Sequence, residues 1–118
     1  MQTFDVIVVG GSLVGASLAL ALADANVSVA LIEPHAPRPV AGDGSWDSRV
    51  YALSPGNVAW LEQLGLWASV PVERATRVEA MRIYGDRAPG RLEFNAYDAG
   101  LRELAWIVEN RLLQNASW

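Results

Sequence analysis

Cysteine is absent and histidine occurs once, at His35. The first absence excludes disulfides, thiolate metal sites and cysteine nucleophiles together, and the second excludes a histidine-rich metal centre. Lysine is missing as well: all nine basic residues are arginine, against thirteen acidic ones, for a formal charge of −4. A nucleic-acid binder is disfavoured, since phosphate attraction needs a basic excess. Positive charge is lacking at the N-terminus too. No basic residue precedes Arg38, and Asp5 stands where a secretory signal would carry its charge, so the apolar run from Leu13 to Ala23 does not read as a signal peptide. Gly15 and Ser17 interrupt that run, which is too short to span a bilayer. The chain is expected to be cytoplasmic.

Apolar residues make up 52% of the 118, and they recur in runs that can bury surface. One compact domain can be built from this length and two cannot. Phe4-Asp5-Val6-Ile7-Val8-Val9 is β-branched and almost continuously apolar, as expected for a strand covered on both faces of a parallel sheet. Leu13 to Asn26 is rich in Ala and Leu and predicts a helix, and Val27 to Ile32 predicts a second strand ended by Glu33 and Pro34. The order strand, helix, strand with short connections makes a right-handed βαβ unit.

Three prolines and two glycines between Pro34 and Trp46 predict an irregular loop. Ser54-Pro55 reads as an N-cap with proline at the first helical position, opening a helix that carries Val58, Leu61 and Leu64 inward and closes at Gly65. Residues 78–84 and 91–94 flank a six-residue turn, Gly85 to Gly90, and predict an antiparallel hairpin. Leu101, Leu104, Val108 and Leu112 follow helical spacing and predict a last amphipathic helix. Of the tryptophans, Trp60 and Trp67 are expected in the core, and Trp106 and Trp118 under parts of a longer protein. Two parallel strands and a hairpin cannot cover both faces of a doubly wound sheet, so residues 1–118 read as the N-terminal piece of an incomplete domain, with no second domain. Such a piece would expose apolar surface and strand edges and tend to self-associate.

Gly10-Gly11-Ser12-Leu13-Val14-Gly15 follows the first strand and opens the first helix, the place where exposed backbone N–H groups and the positive end of a helix dipole bind a dinucleotide pyrophosphate. Glu33 ends the second strand, where a carboxylate accepts from ribose hydroxyls and repels a 2′-phosphate. NADP is thereby disfavoured, and FAD and NAD both stay open. Ser12 replaces the middle glycine of the motif; its hydroxymethyl either donates to phosphate or crowds it. A tight turn with no ligand and a solvated strand end are the plain alternatives. No side chain is a good general acid or base, and His35 is expected to be a solvated loop residue.

Four further segments carry a resemblance. Asp5 to Gly11, Asp47-Ser48-Arg49-Val50-Tyr51-Ala52-Leu53-Ser54, Leu64-Gly65-Leu66-Trp67 and Ile107-Val108-Glu109-Asn110-Arg111-Leu112-Leu113-Gln114 follow one another in the order and spacing of the flavin-dependent aromatic hydroxylases of ubiquinone biosynthesis. The chain resembles the N-terminal part of these monooxygenases over nearly its whole length, and the family is similar in fold to para-hydroxybenzoate hydroxylase. The resemblance implies an α/β, Rossmann-like βαβ FAD-binding unit with the hairpin added. It implies FAD, with its ADP half on Gly10, Ser12, Gly15 and Glu33 and on the neighbouring Gly11 and Val14, with Arg49 near the cofactor and Arg111 and Gln114 approaching it. Without it, Arg49 would pair with Asp47 or Asp43, and Arg111 with Glu109 or Glu103. For the whole enzyme it implies NAD(P)H, O₂ and a polyprenylated phenol as reactants. Peripheral association with the inner membrane and with ubiquinone-pathway partners would follow from the lipid-soluble substrate. The later parts that complete such an active site are not among these residues, so the chain alone is expected to be inactive. Another FAD or NAD oxidoreductase module, or a non-catalytic nucleotide-binding or assembly module, are the alternatives.

Overall fold

The computed structural model describes residues 2–40, 44–87 and 89–118. Strand β1 (Val6–Val9) runs into helix α1 (Leu13–Asp24) and returns as β2 (Val29–Ile32), which pairs parallel with β1 in the register Val6 to Val29 through Val9 to Ile32. The expected βαβ order is present. Helix α1 stops where the polar residues predict: Asn26 takes a φ of 57°, and the amides of Asn26 and Val27 return to the carbonyls of Ala23 and Leu22. That pair of bonds closes the helix end with asparagine in the left-handed position. Both faces of β1 are not covered, however. Val8 is buried, whereas Ile7 is 60% and Val9 79% exposed, so α1 shields one face of this pair and the other is bare.

A second sheet, which sequence patterning does not reveal, forms the centre of the molecule. Strand β3 (Val50–Leu53), β4 (Ala75–Val78) and a strand at Ala105–Glu109 pair antiparallel with the last in the middle. The predicted helix through Leu101 and Val108 is therefore corrected. Only Asn110–Ala116 is helical there, and Leu101 and Leu104 lie ahead of the strand. Ala105-Trp106-Ile107-Val108 is bulky and partly β-branched, and two strands pair with it at once, so non-local pairing outweighs the helical spacing.

Helix α2 (Pro55–Gln63) forms as its caps dictate. The Ser54 hydroxyl accepts from the Asn57 amide at 3.3 Å, and Gly65 ends the helix at a φ of 73° with the Leu66 amide bonded to the Leu61 carbonyl. Val58 and Leu61 from its inner face meet Leu53, Leu66, Val108 and Leu113 in the main core. Trp67 packs there and meets Trp106 edge to face at 5.7 Å between centroids. Trp60 does not join them and is 39% exposed.

Strands β5 (Ala80–Tyr84) and β6 (Arg91–Asn95) form the predicted hairpin, split from β4 by Glu79, whose carbonyl accepts from the Ala96 amide. Its two faces differ sharply. Met81, Ile83, Leu92 and Phe94 lie on one, all exposed, while Arg82 and Arg91 pair with Glu93 on the other, both at 2.6 Å. Among the described residues no helix is long and apolar enough to cross a membrane. The middle strand of the second sheet, β7 (Ala105–Glu109), runs directly into the last helix, α3 (Asn110–Ala116).

Candidate functional site

The antiparallel pairing of β3 with β7 does most to assemble the site. Val50 lies opposite Glu109, so the residues just before β3 and just after β7 emerge side by side, and the Asn110 amide donates to the Arg49 carbonyl at 2.9 Å. Arg49 and Arg111, far apart in sequence, thus reach the same place. The βαβ unit supplies the opposite wall. Together they enclose a pocket of about 620 Å³ lined by Gly11, Ser12, Glu33, His35, Ala36, Pro37, Arg38, Asp47, Ser48, Arg49, Asn110, Arg111 and Gln114.

Of the nine residues singled out by sequence, six line this pocket: Gly11, Ser12, Glu33, Arg49, Arg111 and Gln114. Gly10 and Gly15 lie behind it as the close-packed turn between β1 and α1. Gly10 holds a φ of 99°, and a Cβ on Gly15 would fall 1.8 Å from the Gly10 carbonyl oxygen. Val14 faces elsewhere, into a smaller apolar cleft of about 260 Å³ with Leu13, Tyr51, Leu53 and Trp60. His35, Arg38, Asp47 and Asn110, none of them expected at a cofactor, also belong to the lining. The last two sit inside the Asp-x-Arg and Val-Glu-Asn segments, a signal present in the sequence but unused.

Glu33 is tied down at both oxygens. Its Oε2 accepts from the Gly11 amide at 2.8 Å and its Oε1 from the His35 amide at 3.1 Å. These N–H groups, that of Gly11 foremost, hold its carboxyl below the ordinary value of 4.5. Asp47 does the same work across the pocket, with Oδ1 accepting from the Arg49 amide at 3.0 Å and Oδ2 from the Arg111 amide at 3.1 Å. The Arg49 amide is the main reason that its carboxyl lies below 3.8. So it is the backbone of Arg49, not its guanidinium, that meets Asp47; Asp43 lies outside the described residues. Arg111 Nη2 donates to the Ser45 carbonyl at 2.8 Å and lies 4.0 Å from Glu109, so the expected pairing with Glu109 is met at its outer limit.

A pH dependence follows from the two carboxylates. Because their folded values are depressed, they stabilise the folded chain fully above about 4.5, and that contribution is lost as the pH falls through the folded values below 3.8 to 4.5. Urea midpoints measured on both sides of this window should decline on the acid side, and the decline should be shallower in Glu33→Gln.

The residues fit a bound dinucleotide on three observations. The first turn of α1 presents free amides, because only the Ala16 amide is used by Ser12, and no acidic side chain occupies that turn. The Ser12 hydroxyl makes no capping bond, and its φ of −75° is ordinary for a residue with a side chain. Among the described residues the buried Nε of Arg111 has no partner, a donor in want of an acceptor beside the pocket.

A helix N-terminus behind a glycine turn, an acidic residue ending the second strand and a pocket opening between them define a dinucleotide-binding protein built on a Rossmann-like βαβ unit. The FAD binding domain family matches residues 3–114, and the chain belongs to it; its cofactor is FAD. Two curated relatives are similar over nearly the whole chain. The 3-demethoxyubiquinol 3-hydroxylase of Escherichia coli is 33% identical over 99% of this chain and 30% of its own length. Ubiquinone hydroxylase UbiL of Rhodospirillum rubrum is 34% identical over 95% of this chain and 25% of its own. The chain thus spans between a quarter and a third of these relatives. Among solved structures, the p-nitrophenol 4-monooxygenase PnpA of Pseudomonas putida superposes with a TM-score of 0.64 over 99% of this chain and 29% of its own, at 24% identity, which is a likeness of fold.

Proposed function

We propose that this chain is the FAD-binding segment of a flavin monooxygenase that hydroxylates the aromatic ring of a polyprenylated ubiquinone precursor, with NAD(P)H as reductant and O₂ as oxidant. The observation that carries the reading is the convergence of Glu33 and the α1 N-terminus with Arg49, Arg111 and Gln114 on one pocket, in a chain whose similar proteins are named ubiquinone hydroxylases. The whole protein is proposed to work in the cytoplasm, beside the inner membrane that holds such a substrate.

In this reading the free amides of the α1 turn receive the pyrophosphate, and the close-packed glycine turn at Gly10 and Gly15 shapes the approach. Ser12 adds its hydroxyl as a donor. Glu33 keeps a lone pair on each oxygen after serving Gly11 and His35 and accepts from the ribose hydroxyls. The forked donors of Arg49 and Arg111 neutralise the phosphates or the polar edge of the ring system, and Gln114, held by Asn110 at 3.1 Å, orients it. FAD, when bound, supplies the redox and oxygen-transfer chemistry; this chain binds it, orients it and shields it from water.

The test is a visible spectrum of the purified protein with and without FAD, followed by tryptophan-fluorescence titration against FAD and NAD. A flavin spectrum and FAD-selective saturation are expected. Preference for NAD, or binding of neither, overturns the reading. Ser12→Gly should weaken FAD binding by about fivefold, the worth of one hydrogen bond; tighter binding would mean that the hydroxymethyl crowds the phosphate.

A further inference from the structure

Helix α3 carries two of the pocket residues, Arg111 and Gln114, and its end is turned back by Ser117, whose amide and hydroxyl both donate to the Gln114 carbonyl. The turn delivers Trp118 to the phosphate-binding loop. There the indole Nε1 donates to the Gly11 carbonyl at 2.7 Å, a bond between residues at opposite ends of the chain. The contact is close as well as polar. A Cβ on Gly11 would lie 2.7 Å from the Glu33 Cβ and 2.8 Å from Trp118 Cζ2, so Gly11 is gripped between the two side chains. Trp118 itself is absent from the lining of the pocket and half exposed.

We infer that Trp118 is a positioning residue for the cofactor: its indole locks α3 to the glycine turn and fixes the orientation of the Gly11–Ser12 peptide. The inference rests on the FAD reading above. A trans peptide is planar, with its C=O and N–H pointing to opposite sides. Holding the Gly11 carbonyl toward Trp118 therefore turns the Ser12 N–H away from it, to the side on which Ser12 lines the pocket. Glu33 takes the Gly11 N–H at 2.8 Å, so both peptides flanking Gly11 are set by a side chain. Without the indole bond, the Ser12 N–H can rotate away from an anion, and glycine at position 11 offers no steric resistance.

The test compares wild type with Trp118→Phe, which keeps an aromatic ring and removes the donor. Dissociation constants are measured for FAD, for ADP and for adenosine, which lacks the phosphates. Trp118→Phe should weaken FAD and ADP binding by about fivefold and leave adenosine unchanged, so that the preference for ADP over adenosine falls by the same factor. A loosened pocket would weaken all three alike and leave that preference intact, which overturns the inference. Failure of the wild-type protein to bind FAD or ADP overturns the FAD reading and this inference with it, whereas wild-type binding with an unchanged preference in Trp118→Phe overturns this inference alone. Should the variant fail to fold, exchange of the indole N–H in the wild type decides. A slowed rate supports the bond, and a rate equal to that of free indole overturns it.

Discussion

Replacing Glu109 by glutamine should destabilise the chain by about 3 kcal/mol and weaken FAD binding beyond what that loss explains. Glu109 ends β7 and is 2% exposed, the most deeply buried charge described in the protein. Its carboxylate receives Nε and Nη2 of Arg74 in a forked pair, both at 2.7 Å, and the Asp47 amide at 2.6 Å. Arg74 is largely buried too, and it in turn donates to the Ser45 carbonyl and stacks under Trp46 at 4.5 Å from the ring centroid. A neutral amide cannot satisfy two cationic donors and a backbone N–H, so the substitution leaves a guanidinium desolvated and unpaired. For a domain whose total stability is about 5–15 kcal/mol, that is a large share, readable as a lowered urea midpoint.

The same cluster anchors the segment 45–47 that sets the Arg49 and Arg111 backbones through Asp47. Stability and binding can therefore be separated. The double variant Glu109→Leu with Arg74→Met removes both charges together and leaves neither of them buried and unpaired, so its urea midpoint should recover most of the loss seen in Glu109→Gln. Its FAD affinity should not recover, because the Asp47 amide still lacks the carboxylate that anchors it and, through it, the Arg49 and Arg111 backbones. Recovery of both would show that the ion pair serves the fold alone.

These residues also show what a sequence reveals and what it does not. β1, α1 and β2 are legible because each is specified locally: a β-branched run, a run of helix formers, a polar stop at Asn26. The Ser54 cap and Gly65 stop of α2 are likewise written in adjacent residues. β7 is not, because Leu104, Val108 and Leu112 fall at helical spacing while the pairing of Ala105–Glu109 with β3 and β4 decides the outcome, and those partners lie far off in sequence. The site divides in the same way. The glycine turn and Glu33 could be placed from the βαβ pattern, whereas the approach of Arg49 to Arg111 requires the β3–β7 register, and the Trp118 bond requires the turn at Ser117. Resemblance to a family supplied Arg49, Arg111 and Gln114 where local pattern could not.

Alanine in place of Gly15 should abolish FAD binding and lower the stability of the chain, although alanine is the better helix former. Gly15 is the third residue of α1, where propensity alone would favour alanine by about 1 kcal/mol. The added methyl, however, would stand 1.8 Å from the Gly10 carbonyl oxygen and 3.4 Å from Val8 Cγ1. The carbonyl cannot give way cheaply, since the Gly10 amide is bonded to the Ile32 carbonyl at 2.9 Å as the last link between β1 and β2, and Gly10 already holds a φ that other residues avoid. Relief must come from α1 moving off the sheet, at a cost of about 3 kcal/mol, which outweighs the propensity gain. A shift of the helix N-terminus away from the pocket also withdraws the amides and the dipole on which the pyrophosphate depends. Gly56→Ala is the matched control. It too sits in the first turn of a helix, α2, but its new methyl would meet only the Ser54 hydroxyl at 4.0 Å, so propensity should prevail and the urea midpoint should hold or rise. If Gly15→Ala kept its FAD spectrum and matched the control in urea, the close approach of helix to strand would not be what shapes the phosphate site.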